Sequence, residues 1–158
     1  MRADSIEIAP LGSGDLDSVS TLYHTIWHET HAPYQDARIA KSRDLKFFKS
    51  RLQRWNENTL VARIGAELAG FASWEGPALE ALYVVPRCRS SGVGARLLAR
   101  AEVDMRKFGP SELSLDCVCA NAAGRKFYEG NGWRVLKTAE LRDDIYQDIV
   151  TPHWLMVK

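Results

Sequence analysis

The stretch that decides the fold covers residues 82–102 and reads LYVVPRCRSSGVGARLLARAE. It passes from an apolar run that ends at Pro86, through a basic turn with two glycines, into apolar residues at helical spacing. A helix start offers backbone N–H groups without intrahelical partners and the positive end of the helix dipole. Glycines let an anion approach that backbone closely. The pattern therefore predicts a strand, an anion-binding turn and a helix.

Other phosphate-binding loops match this turn poorly. The chain has no G-x-x-x-x-G-K-[ST] loop, and Gly92 and Gly94 are not followed by the third glycine of a dinucleotide-binding fingerprint. Taken alone, the G-V-G sequence fits an ordinary turn before a helix as well as it fits an anion site. The rest of the sequence has to decide between these two interpretations.

The remaining segments predict one mixed α/β unit over residues 1–158, without repeats or linkers. The expected strands cover residues 5–11, 58–76 (a hairpin that turns at Gly65 and Ala66), 78–86, 112–120, 132–141 and 145–157. The expected helices cover residues 15–26, 42–55, 92–108 and 122–130. The predicted order is thus β-α-α-β-β-β-α-β-α-β-β, and residues 28–41 receive no assignment.

Two helix starts carry candidate capping residues. Asp15 precedes the first helix and Ser42 precedes the second. In the second helix, Leu45, Phe48 and Leu52 recur on one side, which predicts a buried face.

Composition excludes several classes of protein. The 21 Lys and Arg residues nearly balance 20 Asp and Glu residues, and this net charge of +1 argues against a nucleic-acid or anionic membrane partner. Three cysteines, Cys88, Cys117 and Cys119, fit neither a disulfide framework nor a zinc knuckle. No apolar run approaches a membrane span or a signal peptide. We therefore expect a cytoplasmic protein.

Two motifs together carry a family resemblance. The first reads V-x-P-x-x-R-x-x-G-x-G and consists of Val84, Pro86, Arg89, Gly92 and Gly94. The second reads N-x-x-G-x-x-F-Y-x-x-x-G-W and consists of Asn121, Gly124, Phe127, Tyr128, Gly132 and Trp133. With both, the chain after about residue 58 resembles the GNAT superfamily of acetyl-CoA-dependent N-acetyltransferases. Gly124 stands where that family usually has Ala, and Trp133 where it usually has Phe.

The resemblance implies a fold and a donor site. The fold is a single GNAT-like domain, of mixed α/β (α+β) class, whose central sheet is mostly antiparallel and flanked by helices. The donor, acetyl-CoA, would place its pyrophosphate on Arg89, Ser90, Ser91, Gly92, Val93 and Gly94. Its pantetheine arm would lie along Leu82, Tyr83 and Val84, and Asn121 and Tyr128 would contact it from the other side.

Three residues are candidates for catalysis. An amine with a pKa of about 10.4 is almost entirely protonated at pH 7, so a base is useful. The family places bases at positions that correspond to Glu80 and Asp116, and either residue could instead be an exposed strand carboxylate. The resemblance makes Tyr128 the general acid that protonates the leaving thiolate. The alternative is that Tyr128 only packs in the core.

The substrate end of the sequence is less informative. Residues 26–36, IWHETHAPYQD, concentrate aromatic and polar side chains. Trp27, His28, His31 and Tyr34 are candidates for the wall of an acceptor pocket. An ordinary helix surface would give the same pattern. His24 and His28 share a helix face, but no carboxylate is placed beside them, so no metal is predicted.

These features predict an N-acetyltransferase that moves an acetyl group from acetyl-CoA to a primary amine by direct attack in a ternary complex. Its expected partners are acetyl-CoA and an amine-bearing acceptor, and a homodimer is expected from the family. The alternative is a non-catalytic acyl-CoA-binding regulatory domain. Retention of Tyr128 and of nearby carboxylates argues against that alternative.

Overall fold

A computed structural model describes residues 5–109 and 112–158 of the chain. Seven strands are present in the described ranges: β1 (Ile6–Pro10), β2 (Thr59–Ile64), β3 (Glu67–Glu75), β4 (Ala78–Val84), β5 (Ser114–Val118), β6 (Arg134–Arg142) and β7 (Val150–Val157). The α-helices are α1 (Leu16–Thr30), α2 (Ala37–Ser42), α3 (Leu45–Trp55), α4 (Val93–Arg106) and α5 (Ala122–Gly130).

The strands form one sheet in the order β1-β2-β3-β4-β5-β7-β6. Every neighbouring pair is antiparallel except β4 and β5, which are parallel. These two strands pair only where Ala78 meets Ser114. Beyond that point they separate, so the middle of the sheet opens beside the carboxyl halves of both strands. The predicted fold class, a mostly antiparallel sheet flanked by helices, is confirmed.

Helices cover both faces of the sheet. Tyr23 of α1 packs its ring 5.1 Å from the ring of Phe71 in β3. On the neighbouring residue, Gly70, an added Cβ would lie 3.3 Å from Leu97 of α4. Successive strand residues point to opposite faces, so α1 and α4 lie on opposite sides of β3. Phe71 and Leu97 are fully buried, as expected for the two halves of the core.

The helical segment before β2 differs from the sequence prediction. The unassigned region contains the short helix α2, which Asp36 caps by accepting a hydrogen bond from the Arg38 N–H at 2.9 Å. The predicted cap Ser42 instead ends α2 and donates its hydroxyl to the carbonyl of Ile39. Asp44 caps α3, because its side chain accepts from the Phe47 N–H at 2.8 Å. The prediction for Ser42 was wrong by two residues.

Two smaller predictions also need correction. Asp15 occupies the cap position of α1 but makes no side-chain cap. Its carboxylate accepts from the Gly12 N–H at 2.8 Å and pairs with Arg63 at 2.6 Å. Leu45, predicted to be buried with Phe48 and Leu52, is 46% exposed. Trp55, at 4% exposure, completes the buried face of α3 in its place.

Candidate active site

The glycine turn between β4 and α4 has the backbone of an anion site. Ser90 and Gly92 both adopt positive φ angles, of 63° and 90°. Gly92 precedes α4, and no side chain caps this helix start. The first N–H groups of α4 therefore have no intrahelical partner, and alternating backbone conformations of this kind form concave anion sites. A positive φ at a serine costs energy, which is characteristic of functional turns.

Side chains hold this turn in place. Arg89 donates from Nε to the carbonyl of Val84 at 3.3 Å, and Ser91 donates from Oγ to the carbonyl of Cys88. Val93 is fully buried and anchors the first turn of α4 in the core. An added Cβ at Gly94 would lie 3.3 Å from the ring of Phe127, which shows how closely α4 and α5 approach at this point.

An open cleft of about 730 Å³ starts at this turn and follows β4. We call it the donor cleft. Its lining includes nine of the predicted donor-binding residues: Leu82, Tyr83, Val84, Arg89, Ser90, Gly92, Gly94, Asn121 and Tyr128. Ser91 and Val93, also predicted, do not line it.

Asn121 has a structural role that the sequence did not predict. It caps α5, with its Oδ1 accepting from the Gly124 N–H at 2.9 Å. A Cβ at position 124 would lie 2.3 Å from the Asn121 Nδ2. Glycine at this motif position, where the family usually has Ala, therefore leaves space for the side-chain amide of Asn121 that caps α5.

A smaller cavity of about 100 Å³ lies where β4 and β5 separate, and its lining includes His31, Glu80, Tyr83, Asp116 and Tyr128. Burial raises the pKa of Tyr128 well above its usual value, and the neighbouring Cys117 and Asp116 add to this effect. The phenol therefore keeps its proton at neutral pH. Tyr83, His31 and Tyr128 also line the donor cleft.

Glu80 lies on a β-bulge. The register between β3 and β4 pairs Ser73 with Ala81 and Trp74 with Leu79, so Glu80 has no partner on β3. Partial burial raises the pKa of Glu80, and the negative charge of Asp116 raises it further. The carboxyl is thus closer than an ordinary glutamate to the pKa of a useful base.

A third cavity, of about 340 Å³, lies on the far side of the strand opening, and we call it the acceptor cavity. Glu80, Asp116, His31 and Tyr83 line it as well as the smaller cavity. Its other walls come from α1, α2, α3 and the segment that joins β6 to β7. They include Tyr23, Trp27, Ile39, Arg43, Phe47, Phe48, Arg51, Arg142, Asp143, Asp144 and His153.

Two of the four predicted acceptor residues line this cavity and two do not. Trp27 and His31 belong to its wall. Burial lowers the pKa of His31, and the nearby His153 lowers it further, so His31 is neutral at pH 7. His28 bonds through Nε2 to the carbonyl of Arg43 at 2.6 Å, and Tyr34 is 63% exposed. Neither His28 nor Tyr34 is in the lining.

His153 was not predicted, because it lies in the apolar end of β7. Its Nδ1 is 2.9 Å from the carbonyl of Thr151, and a carbonyl only accepts, so Nδ1 carries the proton. In the neutral ring Nε2 is then an acceptor, and it lies 3.9 Å from Oδ2 of Asp116.

Within the described residues, no group of three or more His, Cys, Asp or Glu side chains is arranged to hold a metal ion. The rings of His24 and His28 contact each other in a tilted arrangement, with centroids 4.4 Å apart. Both rings lie against α3, 5.7 and 6.3 Å from the ring of Phe48.

The comparisons with known proteins agree with this geometry. Residues 19–133 match the acetyltransferase (GNAT) family. This match spans well over half of the 158 residues, so the chain belongs to the GNAT family of acetyl-CoA-dependent acyltransferases.

Individual relatives are more distant. The uncharacterized N-acetyltransferase YhfO of Bacillus subtilis (strain 168) is 30% identical over 97 residues, a match that covers 55% of this chain and 65% of YhfO. The chain thus spans about 65% of the length of this curated relative.

Solved structures match over nearly the whole chain. A GCN5-related N-acetyltransferase from Rhodopseudomonas palustris is 21% identical with a TM-score of 0.76, covering 98% of this chain and 95% of its own. The PaiA N-acetyltransferase from Thermoplasma acidophilum, solved in complex with coenzyme A, is 25% identical with a TM-score of 0.72, covering 98% of each chain.

Proposed function

We propose that this chain transfers an acetyl group from acetyl-CoA to a primary amine, which attacks directly in a ternary complex. One observation carries the proposal. The donor cleft and the acceptor cavity lie on two sides of the opening between β4 and β5, and His31 and Tyr83 line both. Two reactants could therefore meet at the opening without an intermediate on the enzyme.

The residues of the donor cleft fit acetyl-CoA. The uncapped start of α4 and the positive φ angles at Ser90 and Gly92 suit a pyrophosphate. The free edge of β4 beyond Ala78 offers backbone groups to an extended amide-bearing arm. Coenzyme A bound to PaiA, a relative of the same fold, supports this assignment.

The bound donor supplies a thioester carbonyl, and residues of the chain accept a proton from the amine and donate a proton to the thiolate. The amine nitrogen forms the new C–N bond as the C–S bond breaks. The incoming ammonium first loses one proton to Glu80, directly or through water, and the attacking nitrogen loses a second proton to solvent as the amide forms. Tyr128 gives its phenolic proton to the thiolate and is restored from solvent. Atoms and charges then balance without a further reactant.

Glu80 is a better candidate than Asp116 for the base. Both side chains line the smaller cavity and the acceptor cavity. The pKa of Glu80 is raised by burial and by Asp116, which makes its carboxylate the stronger base. We assign to Asp116 the role of a neighbouring charge that sustains this shift.

The non-catalytic alternative is less well supported. A domain that only binds an acyl-CoA needs the donor cleft but no second cavity. Here a second cavity places ionisable side chains next to the strand opening, and Tyr128 lines both the donor cleft and the smaller cavity at that opening. We therefore favour turnover over sensing.

Three further expectations stay predictions: a single domain over residues 1–158, a homodimer and a cytoplasmic location. Within residues 5–109 and 112–158, no helix has the length and apolar character needed to cross a lipid bilayer.

The test combines two measurements on the purified protein. Calorimetry with acetyl-CoA checks donor binding, and detection of released thiol with a panel of primary amines checks transfer. We expect saturable binding and amine-dependent thiol release. Binding without release for any amine would favour the regulatory alternative, and no binding would reject the proposal.

A further inference from the structure

The acceptor cavity contains two carboxylates, Glu80 and Asp116, that form no ion pair with Arg51 of the same wall. Glu80 and Asp116 reach it from β4 and β5, and Arg51 reaches it from α3. Among the ion pairs of the described residues, Arg51 contacts Asp144, at 3.6 Å, and neither Glu80 nor Asp116. The positive charge of Arg51 nonetheless partly offsets the raised pKa of Glu80, so the two groups lie within electrostatic reach.

Aromatic rings hold Arg51 in position. Its guanidinium lies 4.6 Å from the ring centroid of Phe47 and 5.7 Å from that of Trp55. Its ionic partner, Asp144, is 82% exposed, and a 3.6 Å contact to an exposed carboxylate contributes little. Arg51 also hydrogen-bonds to the Tyr23 hydroxyl. A guanidinium has five N–H donors, so these two contacts still leave donors for a ligand.

The other two arginines of the cavity are less suitable: Arg43 is buried in an ion pair, and Arg142 is exposed and is not among the charges that shift the pKa of Glu80. Arg43 forms a buried ion pair with Asp143, which also accepts from the N–H groups of Ile145 and Tyr146. Arg142 donates to the carbonyl of Gln147 at 2.8 Å. Arg51 is therefore the cation of this wall best placed to meet an anion.

We infer that the acceptor is a free amino acid or a similarly small zwitterion, with its amine beside Glu80 and its carboxylate on Arg51. An ammonium and a carboxylate separated by one carbon suit two facing charges that are too far apart to pair. The inference rests on the proposed function and specifies its acceptor.

The shape and the remaining walls agree with this class of acceptor. A volume of about 340 Å³ is near the lower end of small-molecule sites. Trp27, Ile39, Phe47 and Phe48 would receive an apolar side chain. A polyamine would place a second ammonium against Arg51, and a lysine within a protein has no carboxylate so close to its amine.

The experiment compares matched amines with and without the carboxylate. The pairs are L-phenylalanine with phenethylamine, L-leucine with isoamylamine, and L-methionine with 3-(methylthio)propylamine. Thiol release from acetyl-CoA is measured for each, and kcat/KM is expressed per unprotonated amine. We expect at least one amino acid to exceed its decarboxylated partner by about 10-fold or more, the size of a charged hydrogen-bond contact.

Variants then assign the effect to Arg51. Arg51→Gln should lower kcat/KM for the amino acid by about 10- to 100-fold and change that of the matched amine less than about threefold. Arg51→Lys, which keeps the charge but loses the planar fork, should fall between. Arg54→Gln is the matched control, because Arg54 lies on the same helix, outside the cavity lining, and pairs with Glu75. Because the charge of Arg54 also lowers the pKa of Glu80, Arg54→Gln should change both substrates alike and leave the ratio of their kcat/KM values unchanged.

Several results would overturn the inference. They are equal use of an amino acid and its decarboxylated amine, equal losses for both in Arg51→Gln, and turnover of simple amines alone. Calorimetry with acetyl-CoA on the same preparation distinguishes failure of the acceptor inference from failure of the proposed function. Donor binding without amino-acid turnover defeats the inference and leaves the donor assignment standing, whereas absent donor binding defeats the proposed function itself.

Discussion

The donor cleft and the acceptor cavity share the strand opening but are built differently. The phosphate end of the donor cleft is backbone: the positive φ angles at Ser90 and Gly92 and the uncapped start of α4. The acceptor cavity is made of side chains that come from α1, α2, α3, β4, β5 and the β6–β7 segment. Its residues run from Tyr23 to His153, whereas the predicted donor residues fall within 82–94 and 121–128.

This difference determines how many side-chain substitutions each site can accept without losing its ligand. Backbone recognition needs glycines and a helix start but few particular side chains, so it reappears as a short motif. Recognition by side chains depends on which ones the fold brings together. The acceptor end can therefore change its substrate while the donor end stays the same.

The largest expected effect concerns Tyr128, which lines the donor cleft and the smaller cavity. Tyr128→Phe keeps the ring, which packs against Trp133 with centroids 6.2 Å apart, but removes the proton. We expect kcat to fall by about 10²- to 10⁴-fold, because that is the usual contribution of a general acid. The affinity for acetyl-CoA should persist. Single-turnover kinetics and calorimetry measure the two quantities.

Tyr34→Phe is the control for this change, since Tyr34 is 63% exposed and lines none of the three cavities. It should leave kcat intact. If Tyr128→Phe kept the wild-type rate while chemistry limited turnover, Tyr128 would be a packing residue and water would be the acid.

The second effect separates the donor cleft from the acceptor cavity. Gly94→Val places a branched side chain where a Cβ alone is already 3.3 Å from Phe127, at the start of α4. It should block close approach to the backbone N–H groups. Losing about two charged hydrogen bonds lowers acetyl-CoA affinity by roughly 100-fold or more. Calorimetry with acetyl-CoA measures the loss.

Gly14→Val provides the comparison, because nothing lies within 4 Å of a Cβ at Gly14. Thermal unfolding should show that both variants remain folded. Donor affinity equal to wild type in folded Gly94→Val would remove the glycine turn from the site.

The elements that form the proposed donor side could be predicted from the sequence because their signals are local. The strand, the glycine turn and the helix follow one another within residues 82–102, and the structure reproduces that order. Helix α2 was not predicted, because a helix of only six residues leaves almost no periodicity to detect. Its cap, Asp36, and the cap of α3, Asp44, are recognisable only once the helix ends are known.

The acceptor side could not be predicted to the same extent. No sequence signal distinguishes Arg51 from the other basic residues of α3, and His153 lies within an apolar strand end. Only the folded sheet brings His153 beside Asp116, because β5 and β7 pair Val118 with His153. No spacing in the sequence indicates a contact between residues so far apart.

The smallest expected effect is a shift in pH dependence that tests how Asp116 acts on the acceptor side. If Glu80 is the base, activity falls as the pH drops through its pKa. Burial first, and the charge of Asp116 second, raise that pKa. Asp116→Asn removes the second cause, so the acidic limb of the kcat profile should move to lower pH. The plateau should stay within about threefold, because rate depends only shallowly on a small change in base strength.

Two variants sharpen this last test. Glu80→Gln should remove the acidic limb and lower the plateau by about 10²-fold, the smaller end of the range for a general base. Asp17→Asn, at an 87% exposed site on α1, should leave the profile unchanged. The opposite result would be loss of the acidic limb and a lower plateau in Asp116→Asn, with an unchanged pH profile in Glu80→Gln. Asp116 would then be the base and Glu80 its neighbouring charge. If the acidic limb of the kcat profile stayed at the same pH in Asp116→Asn, the charge of Asp116 would not affect the pKa of Glu80. The raised pKa of Glu80 would then come from burial and its other neighbours.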